Sequence, residues 1–216
     1  MKKSRFSRRL RRLGAPGMLA VLFACSAASP ALAGNKFNVA TTALSAAATT
    51  SSVANCTTPP LSTPFAPYGD TNLYALVPGQ VFDGFGASGW TLTGGATIQT
   101  TTLADGTRGS VLDLPAGSTA VSPGMCVQSD YPTARVMVRD VAQDQPASLF
   151  ATYPSSGDLV SAGKLNGQST WSPSAVYKTH PGTQSGWQLV QFGFIAGART
   201  GDTQIYNFFV DPRMTS

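Results

Sequence analysis

Few residues in this chain have side chains suited to catalysis. The single His, His180, stands in Lys178-Thr179-His180-Pro181-Gly182, and every acid is an Asp. A nucleophilic triad needs a His base beside a Ser or Cys, with an acid to orient it. His180 lies in a turn sequence and no Gly-x-Ser-x-Gly elbow is present, so it reads as an exposed loop residue. Glycoside hydrolysis needs two carboxyl groups several ångströms apart, one of them with a raised pKa. Asp70, Asp105, Asp158 and Asp202 each adjoin a Gly, where Asp caps turns. Asp140 and Asp144 flank one loop, which reads as a solvated hairpin. Zinc requires His and Cys clusters, and the sequence has none. Gly84-Phe85-Gly86-Ala87-Ser88-Gly89 matches G-x-G-x-x-G in form, but no strand–helix unit surrounds it.

Binding chemistry is better supplied. Sugar rings stack their C–H faces on flat aromatic rings, and their hydroxyls pair with Arg, Gln and Asn. Trp90 follows a Gly at a strand start and reads as core. Trp171, in Ser169-Thr170-Trp171-Ser172-Pro173, and Trp187, just after Gly186, have polar neighbours that favour partial exposure. With Arg135, Arg139 and Gln191 they form the candidate ligand-binding set. The competing reading is a solvated sheet face.

Strands must position these residues. No stretch keeps an i, i+3, i+4, i+7 apolar rhythm for three turns. Gly, Pro, Asn, Asp and Ser separate short β-rich runs, which places strands at Leu73–Val77, Trp90–Thr93, Thr97–Leu103, Ser110–Leu114 and Thr119–Ser122. Further strands fall at Arg135–Val141, Ala147–Tyr153, Leu159–Leu165, Gln188–Ala196 and Gln204–Val210. Such spacing predicts an all-β sandwich or barrel. Period-two alternation turns Val136, Val138, Val190, Phe192 and Phe194 inward. It turns Arg135, Met137, Arg139 and Gln191 outward, side by side near the two Trp.

The N-terminus bounds the compartment. Lys2, Lys3, Arg5, Arg8, Arg9, Arg11 and Arg12 precede an apolar run from Met18 to Ala28, then Ala31-Leu32-Ala33. Basic, apolar, then small is the order of a secretory signal, cleaved before Gly34. The run is shorter than the roughly 20 residues that span a bilayer. Ser7-Arg8-Arg9 partly matches a twin-arginine signal, and Leu22-Phe23-Ala24-Cys25 partly matches a lipobox that would anchor the chain through Cys25. Cleavage after Ala33 fits better than either. This segment carries seven bases and no acid, so the formal +5 of the whole chain is positive only because of it. The remainder carries eight bases against ten acids, a balance of −2, which removes the electrostatic case for nucleic acid.

Residues 34–55 have the Ala/Thr/Ser composition of a disordered linker, 56–212 form one domain, and 213–216 a tail. Beyond the signal remain Cys56 and Cys126, an even pair that reads as one disulfide in an exported chain, against two buried thiols as the alternative.

The segment Val81-Phe82-Asp83-Gly84-Phe85-Gly86-Ala87-Ser88-Gly89-Trp90-Thr91-Leu92-Thr93-Gly94-Gly95-Ala96 resembles the opening of jelly-roll, galactose-binding-like carbohydrate-binding modules. Ile205-Tyr206-Asn207-Phe208 stands where their last strand often reads Ile-Asp-Asp-Val. Pro64-Phe65-Ala66-Pro67-Tyr68-Gly69-Asp70 and Ser122-Pro123-Gly124-Met125-Cys126-Val127 resemble segments of a group of small secreted bacterial proteins. The resemblance implies a single jelly-roll sandwich with Cys56 bridged to Cys126, and sugar binding by analogy. Many such modules hold a structural calcium through an acid of each motif. Here Asp83 stands in the first place and Tyr206 and Asn207 in the second, too few carboxylates for a tight site. The expectation is therefore a secreted, non-catalytic glycan-binding module without cofactor or metal, partnered by a glycan or cell-surface component. A structural or adhesive protein with a protein partner is the alternative, and a hydrolase using an Asp pair ranks third.

Overall fold

The computed structural model describes residues 56–128, 133–142, 145–179, 186–199 and 201–211. The expected signal (1–33), linker (34–55) and tail (213–216), with Cys25, Asp144 and His180, lie outside the described residues.

Strand follows strand, as the turn spacing predicts. In order they are β1 (Ala75–Leu76), β2 (Thr91–Thr93), β3 (Thr97–Thr102), β4 (Arg108–Pro115), β5 (Thr119–Val121), β6 (Met125–Gln128), β7 (Thr133–Ala142) and β8 (Ser148–Tyr153). β9 (Asp158–Lys164), β10 (Ser172–Pro173), β11 (Tyr177–Lys178), β12 (Trp187–Ile195) and β13 (Asp202–Asp211) complete them. A 3-10 turn at Ala66–Tyr68 precedes β1. Among the described residues no helix is long and apolar enough to cross a membrane.

The strands form two antiparallel sheets. A seven-stranded sheet runs β10-β7-β13-β4-β3, with β11 beside β10 along β7 and β1 beside β4 along β13. A six-stranded sheet runs β2-β5-β12-β8-β9, with β6 beside β5 along β12. From β4 onward the chain alternates between sheets: β5 and β6, β7, β8 and β9, β10 and β11, β12, β13. That winding is a jelly-roll sandwich. Two of the strands missed in sequence are β6, which follows Pro123-Gly124, and β10, which contains Pro173; both are short pieces on a longer strand's edge.

The inner core is built by alternation. Val190, Phe192 and Phe194 of β12 face Val136 and Val138 of β7 and Leu112 and Leu114 of β4 in one buried cluster. Phe208 meets Phe192 and Phe194 edge to face at 5.3 and 4.9 Å between centroids. Trp90 is core, stacked on Phe194, with its Nε1 donating to the Pro78 carbonyl at 2.9 Å. Gly79 makes room for it, since a Cβ there would lie 2.0 Å from the Ser88 carbonyl oxygen.

β13 does not keep strict alternation. Its register against β7 shifts between Tyr206 and Phe209, and Asn207 has φ 49°. Asn tolerates this left-handed backbone better than most residues. The bulge puts Ile205, Phe208 and Val210 into the inner core and turns Tyr206 and Phe209 to the outer side. There a second cluster forms from Phe65, Tyr74, Leu103, Val111, Met137, Tyr206 and Phe209. Met137 is thus outward by phase but buried, because another layer of chain covers that part of the sheet.

That layer is anchored covalently. Cys56 is bridged to Cys126 on β6, with 5.5 Å between their Cα atoms. From there the chain passes to the other sheet, where Ser62 bridges Tyr74 and Phe65 packs on Tyr74 and Phe209. The segment is pinned a second time by Arg135, whose Nη1 lies 2.5 Å from Asp70 Oδ2.

Candidate functional site

The outer side of the seven-stranded sheet carries a polar row across four neighbouring strands. Arg139 on β7 donates from Nε and Nη2 to Gln204 Oε1 on β13, at 2.9 and 2.7 Å. Gln204 Nε2 donates to Asp113 Oδ1 on β4 at 2.6 Å. Gln99 Nε2 on β3 donates to Asp113 Oδ2 at 2.8 Å. Arg139 Nη2 also reaches Thr101 Oγ1 at 2.8 Å. Each link fixes the rotamer of the next, so the row is a preorganised strip of donors and acceptors.

An aromatic ring flanks it. Trp171, half-buried just before β10, lies with its ring 4.7 Å from the Arg139 guanidinium carbon. Its edge meets Tyr206 at 4.8 Å, and its Nε1 donates to the Thr102 carbonyl at 2.8 Å. The indole therefore ties β10 to the tip of the β3–β4 hairpin. That tip folds inward at Leu103, where Gly109 has no side chain to block it: a Cβ there would lie 2.4 Å from Leu103 Cδ1.

A second carboxyl borders Asp113. Asp202 opens β13 on the same outward phase as Gln204, and its Oδ1 is buried without a hydrogen-bond partner. Burial raises its pKa above the ordinary 3.8, and the adjoining Asp113 carboxyl raises it further against the pull of Arg139. A raised folded-state pKa favours folding at low pH, and the benefit is lost as pH rises through that value. Asp202→Asn is expected to raise the melting temperature by a few degrees at pH 7 and to leave it unchanged near pH 3. A thermal scan showing equal shifts at both values would contradict this.

The expected ligand set is divided by the fold. Arg139 and Trp171 are brought together. Arg135 shares their sheet, but its Nε donates to the Ser174 carbonyl at 2.8 Å, its Nη1 holds Asp70, and its plane lies 5.1 Å from the Phe65 centroid. Trp187 and Gln191 stand on β12, in the other sheet, so the expected side-by-side cluster is corrected. Consecutive strands alternate between sheets, and residues of the same outward phase then point to opposite sides of the sandwich. Gln191 is also not solvated. It is fully buried on a strand internal to its sheet, with Nε2 donating to the Ser122 carbonyl at 3.3 Å. Trp187 is partly exposed.

The acids divide too. Asp140 is not part of a solvated hairpin: it is buried, accepts from Thr203 Oγ1 at 3.1 Å, and has its pKa raised by burial. Asp70 and Asp105 accept from backbone N–H groups two residues on, as turn caps do. Asp83 and Asn207 close on each other, with Asp83 N–H donating to Asn207 Oδ1 at 2.8 Å and Asn207 Nδ2 donating to Asp83 Oδ1 at 2.9 Å. Sequence reasoning missed Gln99, Asp113 and Gln204. A signal for Asp113 exists in its alternation with Leu112 and Leu114, but none shows that the three residues meet.

No protein-family model matches the chain, and no curated protein matches it. Among solved structures it is similar to the CBM22-1 xylan-binding domain from Paenibacillus barcinonensis Xyn10C, at 13% identity and TM-score 0.39, over 58% of this chain and 87% of that one. It is similar to a family 16 carbohydrate-binding module-2 at 14% identity and TM-score 0.38, over 57% and 91%. An exo-beta-agarase is similar at 11% identity and TM-score 0.46, over 66% of this chain and 25% of that one.

Proposed function

We propose that this is an exported, non-catalytic module that binds a glycan on the outer side of its seven-stranded sheet. The observation that carries the reading is the Arg139–Gln204–Asp113–Gln99 row beside the half-buried Trp171 ring. An aromatic plane next to a guanidinium that the buried Gln204 and Asp113 hold in place matches the two faces of a sugar, its C–H side and its hydroxyls. A shallow, preformed surface of this kind gives weak affinity. A hydrolytic reading fits less well, because both oxygens of Asp113, the carboxyl that acts on Asp202, already accept from Gln99 and Gln204. Glycoside hydrolysis needs two carboxyls free to act on either side of the scissile bond.

The test is retention of the purified protein on insoluble polysaccharides and isolated cell wall. Trp171→Ala and Arg139→Gln are expected to weaken retention at least about tenfold while the domain stays folded. Equal retention of both variants, or no retention of the wild type on any glycan, would remove the reading. A second reading, a protein-binding surface module, is favoured by one observation: Tyr68, Val81 and Phe82 are all exposed, at 46, 55 and 59%.

A further inference from the structure

Beside the polar row, a cleft of about 330 Å³ opens on the same outer side. Its walls are the Pro64–Tyr68 segment, the Phe82–Asp83 turn, the β3–β4 hairpin tip and β13 at the Asn207 bulge. Phe65, Tyr68, Phe82 and Tyr206 line it together with Asp83 and Asp105, and among the described residues no Lys, Arg or His does. Tyr68 and Phe82 keep much of their surface open to solvent. Asp83 and Asp105 each use Oδ1 for internal hydrogen bonds, to Asn207 and to Thr107. Among the described residues, their Oδ2 atoms have no hydrogen-bond partner. The left-handed backbones of Asp83 (φ 54°) and Asn207 (φ 49°), locked by their reciprocal hydrogen bonds, hold this wall in place.

The electrostatics of the cleft have one sign. The Tyr206 hydroxyl is pushed up to about 12, first by burial and then by Tyr68, Asp83 and Asp105, against the backbone hydrogen bond it makes with Ala104. The burial part of that shift disfavours any charge, but the part set by the Asp83 and Asp105 carboxylates, which line the cleft, favours a cation. Aromatic faces attract cations through their quadrupoles, and this same side of the sheet already sets Arg139 against Trp171 and Arg135 against Phe65.

We propose that this cleft binds an alkylammonium group, with Tyr68 and Phe82 against its methylene or methyl surface and Asp83 and Asp105 balancing its charge. The site is independent of the glycan reading and survives its failure.

The experiment is a titration of the isotope-labelled protein with tetramethylammonium chloride, followed by backbone amide shifts. tert-Butanol, of similar shape but neutral, and sodium chloride at matched ionic strength are the controls. Saturable shifts centred on Asp83, Ala104, Asp105 and Asn207 are expected with tetramethylammonium alone. Phe82→Leu and Asp105→Asn, both on exposed side chains, are expected to weaken binding roughly three- to tenfold each. Glucosamine and Nα-acetyl-lysine, titrated the same way, distinguish a sugar-borne from a side-chain-borne ammonium, and shifts with either support the site. Equal shifts with tert-butanol or sodium chloride, shifts centred elsewhere, unaltered affinity in both variants, or no shift with any ammonium overturns the proposal.

Discussion

Reduction of the Cys56–Cys126 bridge is expected to cost about 4 kcal/mol of folding stability, the largest effect of any single covalent change in this domain. The bridge spans a sequence separation of 70, and cross-linking so long a loop restricts the unfolded chain by roughly that much. The native-state consequence is local. Cys126 sits on β6, which is hydrogen-bonded to β12, while Cys56 leads into the segment that forms one wall of the alkylammonium cleft. Reduced protein should therefore unfold at lower denaturant, and residues 57–70 should exchange amide hydrogens faster than the inner strands. Chemical denaturation with and without reductant, beside Cys56→Ser/Cys126→Ser, measures both. A loss under about 1 kcal/mol would mean that the unfolded chain is already compact enough for the bridge to add little.

Arg135→Ala is expected to destabilise the domain by about 2 kcal/mol, between the cost of breaking an exposed ion pair and that of stranding one member of a fully buried one. The Arg135 and Asp70 side chains are only 15% and 9% exposed. Removal of the guanidinium leaves Asp70 facing Tyr74 and the Asn72 N–H, and it also removes the ring contact with Phe65. Asp70→Asn in that background should restore part of the loss, because the uncompensated charge goes with it. Burial alone would raise the Asp70 pKa, but hydrogen bonds from Tyr74, Asn72 and Arg135 outweigh it and hold the carboxyl below 3.8. A depressed folded-state value contributes stability above the unfolded pKa and loses it as pH falls through the folded one. The gap between wild type and Arg135→Ala should accordingly be full at pH 6 and shrink below pH 4. A gap independent of pH would assign the effect to lost packing on Phe65 instead of to charge.

Both expectations concern how the N-terminal segment is held against the sandwich, and this bears on function directly. The Arg139–Gln204–Asp113–Gln99 row, proposed above to take a glycan, lies on strands of one continuous sheet and should tolerate loosening of that segment. The cleft takes a wall from it and should not. Binding of glycan and of tetramethylammonium before and after reduction therefore separates the two surfaces.

The amino-acid sequence by itself determined most of the local structure and much of the inner core, but not the short β6, β10 and β11 or the inward turn of Phe208 at the β13 bulge. Strand positions follow from Gly, Pro, Asn and Asp punctuation, which acts over a few residues and needs no partner. Alternation placed Val136, Val138, Val190, Phe192 and Phe194 in the core, because a pleated strand has only two faces. The bridge was legible because two cysteines in a domain whose sequence reads as exported leave one pairing. Only the tertiary structure decided which outward residues share a surface. Alternation gives a side relative to the strand, not to the molecule, so Gln191 and Arg139 had the same phase and ended on opposite sheets. Burial on the outer side was likewise hidden, since Met137 and Tyr206 are covered by chain that is remote in sequence. The polar row joins residues from four strands, and the cleft exists because a bulge at Asn207 turns Tyr206 and Phe209 outward while Phe208 goes inward. Register shifts of this kind depend on the partner strand. A single sequence read along its length carries no term for that partner.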